Sequence, residues 1–213
     1  MSDRWSLARR AAALPLAVCL GLAGCASYPP DGVPDRAEDG PLQVSGGSGG
    51  AMILAAMAGG GNRRAVFGGL DLCTTEGPVT LEEVRYRSAG GAATWRPVLR
   101  RVPRYADRTD RPDSVFWAPL SAWRGDIDGP HAARRVPGVL DHDVPGTVVE
   151  DRCGPPDPAD AATELLTSVV AATDRGARVR DLVVHYRADG NAYLVTVPWE
   201  MTLCGDRGDY PDC

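Results

Sequence analysis

The sequence predicts an antiparallel all-β fold, and three observations carry that expectation. Arg180 to Cys204 reads as a two-stranded hairpin about Asp189-Gly190, a dipeptide that tolerates the positive φ a type I′ turn demands. Set between Ala188 and Asn191, the turn places Tyr186 opposite Tyr193, Val184 opposite Val195 and Leu182 opposite Val197. Each pair is apolar on apolar, and a one-residue slip would turn all of these side chains to the wrong face. The alternation continues through Trp199, Met201 and Leu203 as one buried stripe. Elsewhere, short runs of β-branched and aromatic residues stand between Gly, Pro and Asp turn signals, with no helical repeat.

At 213 residues the chain is one ordinary domain with appendages, long enough for a core without help from a metal or cofactor. The 23 basic and 28 acidic residues give a formal charge of −5, and lysine is absent, so every one of the former is Arg. Without residues 1–24 the balance is 20 against 27, or −7. An acidic chain with no basic stripe argues against a nucleic-acid partner.

Taken in order, Arg4, Arg9 and Arg10 make a positive start and Ala11 to Gly21 an apolar run too short to span a bilayer. Leu22-Ala23-Gly24-Cys25 follows directly and resembles the bacterial lipobox. That resemblance implies that residues 1–24 are a lipoprotein signal peptide and that Cys25 becomes a diacylglyceryl-modified N-terminus. The membrane is then a partner through the lipid, on its extracytoplasmic face, where two acyl chains hold and one would be marginal. Residues 25–64, rich in Gly, Pro, Ser and Asp, read as a flexible tether. Gly46 to Gly50 matches the G-x-S-x-G nucleophile elbow, but low-complexity glycine satisfies that pattern without the strand and helix an elbow requires. Ala51 to Ala58 is apolar and fits an edge strand or a short helix.

The folded domain is expected over 65–213. Leu70, Leu72 and Cys73 form a first short strand and Val79 to Ser88 a second, with a change of parity at Glu82-Glu83 that marks a β-bulge. Gly90-Gly91 turns into Thr94 to Val102, where Trp95 and Leu99 face inward and Pro97 asks for an edge or bulged position. Arg100, Arg101, Arg104, Arg108 and Arg111, interleaved with Asp107, Asp110 and Asp113, read as a solvated loop with weak local ion pairs. Ser114 to Leu120 reads as a strand, Ser121 to Gly146 as a long irregular segment, and Thr147 to Asp151 as a strand leading to Cys153. Ala161 to Ala172 fits a helix by its alanines and a strand by its Thr, Val and Leu content; its neighbours favour strand. Pro198 directs its missing donor away from the 180–187 strand and requires an edge or a bulge there. About seven short strands between turns suggest a β-sandwich of immunoglobulin-like architecture.

Cys19 leaves with the signal and Cys25 takes lipid, which leaves Cys73, Cys153, Cys204 and Cys213. An even number outside the cytoplasm reads as two disulfides, and four cysteines allow three pairings. Proximity favours Cys204 with Cys213, and then Cys73 with Cys153. No Cys-x-x-Cys or nearby His accompanies them, which argues against zinc.

The long segment gathers Asp126, Asp128, His131, Asp141, His142 and Asp143, the one place where several metal ligands could converge. Asp126-Ile127-Asp128-Gly129 begins like a calcium loop, but the later acidic ligands and the terminal Glu are missing. His185 alternates outward opposite Leu194 and reads as a surface residue or second-sheet packing rather than a ligand. No hydroxyl residue has the context of a catalytic triad, so no catalytic residue and no cofactor are assigned; carboxylate pairs for glycoside hydrolysis depend on spatial separation and stay open. Three stretches together, namely the lipobox, Gly69 to Cys73 before Val79-Thr80-Leu81, and Val197 to Cys204, resemble uncharacterised small lipoproteins of high-GC Gram-positive bacteria. The resemblance implies a fold and a location in the cell envelope. The expected function is a binding module for an envelope protein or small ligand, with Ser121 to Gly146 as contact surface; the alternatives are a metal-binding protein using Asp126, Asp128, Asp141, His142 and Asp143, and an envelope hydrolase.

Overall fold

A computed structural model describes residues 40–45, 49–55, 63–103, 120–154, 161–207, 210 and 213. Those residues fold as β1 (Leu42–Ser45), β2 (Gly50–Leu54), β3 (Arg64–Thr74), β4 (Val79–Gly90), β5 (Ala93–Pro103), β6 (Ala122–Arg124), α1 (Ala132–Arg135), β7 (Val139–Asp141), β8 (Val148–Val149), β9 (Ala161–Ala171), β10 (Gly176–Ala188), β11 (Asn191–Val197) and β12 (Trp199–Cys204). The all-β expectation stands. The five main strands are longer than foreseen, 11 to 13 residues each.

Two six-stranded sheets form. The first has the order β1-β3-β9-β5-β7, with β6 on β3 as well, and the second the order β2-β12-β10-β4-β8, with β11 also on β10. Asp189 and Gly190 take φ of 47° and 80°, and the hairpin has the expected register: Tyr186 with Tyr193, Val184 with Val195, Leu182 with Val197. The two tyrosine rings stack at 5.5 Å. Beyond the turn, Leu182 pairs with Val197 but Val179 with Met201, so one extra residue is accommodated around Pro198 in the ladder with β10; on the opposite side, toward which the missing N–H would point, β2 pairs only from Trp199 onward and leaves the proline at the end of that ladder. The bulge at Glu82 is equally plain, since His185 pairs with Glu83 and Tyr186 with Leu81. Pro97 lies opposite Thr167 on one side, while β7 covers only Leu99 to Arg101 on the other, leaving the proline at an open edge.

Part of the expected tether belongs to the sheets. Leu42–Ser45 pairs antiparallel with β3, and Gly50–Leu54 runs parallel to β12, with Gly50 N donating to Pro198 O at 3.2 Å. An edge strand needs backbone partners on one side only, so a Gly-rich composition that would weaken a central strand suffices here. The strand expected over Ser114 to Leu120 lies outside the described residues except for Leu120, as do Arg104, Arg108, Arg111 and the lipobox.

Alternate residues of the first sheet enter two different hydrophobic clusters. Phe67, Leu99, Leu165 and Val169 join Leu81, Leu182, Val184, Met201 and Leu203 of the second sheet in the main core. Val66, Val98 and Leu166 point the other way, where Ile127 and Val136 bury them with Leu120, Trp123 and Leu140 alongside. The period-2 geometry of a strand makes this division automatic once both faces are covered. The irregular segment is therefore a lid of backbone and apolar side chains over the outer face of the first sheet. Cys73 pairs with Cys153 and Cys204 with Cys213, as proximity favoured. The first bridge is accompanied by hydrogen bonds from Thr74 N to Asp151 O at 2.7 Å and from Cys153 N to Thr74 O at 3.0 Å.

Candidate functional site

The covering segment is fixed to the sheet by a buried carboxylate. Glu164, fully buried on β9, accepts hydrogen bonds from Gly69 N and Leu120 N, both at 2.7 Å to Oε1, and its Oε2 lies 2.8 Å from Arg100 Nε. Arg100 is only 2% exposed, so the solvated loop pair expected there is corrected: β5 runs through Arg100, and its side chain turns under the lid rather than into water. Gly68-Gly69 makes this possible. The register slips between Phe67 and Leu70, and the slip frees Gly68 N to donate to Ser121 O at 3.1 Å and Gly69 N to reach Glu164. A Cβ on Gly68 would stand 2.3 Å from Leu120 O. Burial pushes the Glu164 carboxyl above its usual range and Asp71, opposite it on β3, adds to that, against the pull of Gly69, Arg100 and Leu120.

Two adjoining clefts flank the lid, and both are lined by Asp126. The first, about 250 Å³, is walled by Arg64, Thr94, Arg96, Asp128, His142 and Ser168 over a floor that includes Val98 and Ile127. Of the expected ligand set, Asp126, Asp128 and His142 meet here. His142 Nε2 lies 3.4 Å from Asp128 Oδ1, both side chains at least half exposed, and Asp126 forms an ion pair with Arg64 through Oδ2. Its Oδ1 accepts Asp128 N at 3.2 Å. Asp141 and Asp143 do not join them: Asp141 sits on β7 opposite Leu99, where its Oδ1 accepts Asp143 N at 2.9 Å, closing a local turn. Among the described residues no group of three His, Cys, Asp or Glu side chains comes together as a metal site.

The second cleft, about 340 Å³, is lined by Trp123, Pro130, His131, Arg134 and Arg135, with Arg124 at its base. Arg124 is spent on structure, donating to Ala55 O at 2.9 Å, Leu54 O at 3.0 Å and Cys204 O at 3.1 Å. Burial lowers its pKa from the ordinary guanidinium value, against the opposing charge of Asp206. His185, expected at the surface or in second-sheet packing, is 5% exposed, which favours the second, and it stands opposite Leu194 as foreseen.

The acids of the long segment drew the sequence reading toward cations. Arg96, Trp123, Arg134 and Arg135 were passed over, although Trp123-Arg124 and Arg134-Arg135 bracket the acidic turn and could have pointed to a second kind of site. No protein-family model, curated protein or solved structure matches the chain. Among the described residues no helix is long and apolar enough to cross a membrane.

Proposed function

We propose that the chain is a lipoprotein of the cell envelope, anchored through Cys25 on the extracytoplasmic face, whose β domain is an immunoglobulin-like module that binds a small ligand on its lidded face. The observation that carries the binding reading is the lid itself. A segment of this length covers the outer face of the first sheet, away from the main core, and it creates two adjacent clefts lined by charged and hydroxyl side chains.

The strand order supports the immunoglobulin-like part. β1-β3-β9-β5 follows the order A-B-E-D and β12-β10-β4 the order G-F-C of such domains. The module departs from antibody domains in its bridges, which join Cys73 to Cys153 and Cys204 to Cys213 rather than strand B to strand F. Two disulfides suit an oxidising compartment, and the lipobox-like Leu22 to Cys25 supplies the anchor.

Two measurements test the reading. Cells fed an alkyne fatty acid should label the wild-type chain and not Cys25→Ala; equal labelling removes the anchor. For binding, full-length protein in detergent micelles, labelled at the tryptophan indole nitrogens, is titrated with small-molecule extracts of the envelope. The Trp123 indole N–H should shift while those of Trp95 and Trp199 stay put. A response at Trp95 or Trp199 instead would place the contact surface elsewhere.

A further inference from the structure

We infer that the cleft between Trp123 and α1 is a site for an acidic saccharide, a sugar carrying a carboxylate or phosphate, with the ring on Trp123 and the anion on Arg134 and Arg135. The inference rests on the binding-module reading and names its ligand class. It starts from charge. The whole chain is acidic, yet Arg134 and Arg135 stand exposed in the last turn of α1 with no ion pair among the described residues. The one carboxylate among the described residues lining this cleft is engaged elsewhere, since Asp126 uses Oδ2 on Arg64 and Oδ1 on Asp128 N. Asp128 in turn faces His142 in the neighbouring cleft. Two adjacent guanidinium groups without a counter-charge, with His131 beside them, match the planar oxygen pairs of a carboxylate or phosphate.

The aromatic wall argues for more than a bare anion. Trp123 is half-buried, its apolar body against the cluster of Val66, Val98 and Leu166. Gly125 holds the indole in place by lacking a side chain, since a Cβ there would stand 2.2 Å from Trp123 Cζ2. A ring pinned over glycine beside unpaired cations offers an apolar face and an anion grip side by side. At about 340 Å³ the cleft is of ligand size, enough for one or two sugar rings.

The test is isothermal titration of the full chain in detergent micelles at low salt, where screening is weakest, with glucuronate, glucose 6-phosphate, glucose and inorganic phosphate. Either anionic sugar should bind at least tenfold more tightly than glucose or phosphate. Arg134→Gln/Arg135→Gln should weaken it at least tenfold, and Trp123→Leu should weaken the sugar anions while leaving phosphate unchanged. Both variants are checked for an unchanged circular dichroism spectrum, and Arg134→Gln alone serves if the double variant loses its fold. A six-unit oligouronate that binds more tightly than the monomer identifies a polymer as the source; equal affinity identifies a free sugar acid. Phosphate binding as tightly as glucose 6-phosphate overturns the saccharide site, and so does anion binding indifferent to both arginines. If no anionic sugar binds while Trp123 still answers an envelope extract, the ligand class fails and the binding module stands; silence in both removes both.

Discussion

Removing the carboxylate of Glu164 should cost more stability than removing any other single polar group described on the outer face. Glu164→Ala takes from Arg100, 2% exposed, its 2.8 Å carboxylate and leaves Gly69 N and Leu120 N without this acceptor. Breaking a buried pair from one side costs roughly 3–5 kcal/mol. The orphaned donors would add ~1–3 kcal/mol each if nothing relaxed, but the lid can lift and let water reach them, so about 3–5 kcal/mol is expected in all. That is a large share of the roughly 5–15 kcal/mol that holds a domain together, and corresponds to a fall of roughly 6–20 °C in Tm at about 2–4 °C per kcal/mol for a chain of this size. The assay is urea unfolding followed by tryptophan fluorescence with disulfides intact. The double variant Glu164→Gln/Arg100→Met is the control. Gln keeps an acceptor for the two N–H groups, Met fills the channel of the arginine stem, and no charge remains buried, so stability should return to within about 1 kcal/mol of wild type. A loss below about 1 kcal/mol in Glu164→Ala, or a double variant no better than the single one, would refute the claim that this pair clamps lid to sheet.

The same carboxyl gives an unusual pH dependence. Its folded pKa is raised, so the folded state holds the proton more tightly, and between the ordinary glutamate range and the raised value stability climbs as pH falls; the wild-type slope across that window, measured by chemical unfolding, should flatten in Glu164→Gln. The two disulfides should differ in weight. Cys73 and Cys153 are 80 residues apart and Cys204 and Cys213 only 9, so chain entropy assigns about 4.5 kcal/mol to the first and about 2.6 kcal/mol to the second, and paired Cys→Ser variants compared by urea midpoint should keep that order. Finally, Gly50→Val should release β2, because a Cβ at Gly50 falls 2.3 Å from Trp199 Cζ3. A cost of ~1–3 kcal/mol is expected, with amide-exchange protection lost at Met52 and Leu54, whose N–H groups share the side of Gly50 N, and kept at Leu182; protection retained at Met52 and Leu54 would show that the strand tolerates the crowding.

How much could be read from residues alone follows from how local each decision is. The hairpin register was legible because Asp189-Gly190 and three apolar pairs within a short stretch specify it twice over. The bulge at Glu82 was legible from a parity break, and the open end of the β2 ladder at Pro198 from a missing donor. β1 and β2 were not, since an edge strand is held by backbone bonds to a distant partner and leaves little periodicity behind. The Glu164 and Arg100 pair was hidden for a further reason. Each is one charge in a strand that could equally have faced water, and 64 positions separate them; only the cross-strand register of β5 with β9 sets them side by side.

That register has a consequence for the site. Leu120 begins the covering segment and Gly69 belongs to the bulge of β3, and both donate to the same carboxylate oxygen. The sheet cannot complete its outer face without the lid, because Glu164 would then be a buried charge short of a donor, and the lid has no reason to settle without the bulge. Cleft, bulge and ion pair therefore form as one unit. Asp126, Asp128 and His142 ended near one another because Ile127 had to reach Val66 and Leu166, which makes their meeting a by-product of covering the sheet. Arg134 and Arg135 follow Ala132, which is buried, while both arginines stay in solvent at the rim of a cleft where Asp126, the carboxylate among its described lining residues, is already engaged by Arg64.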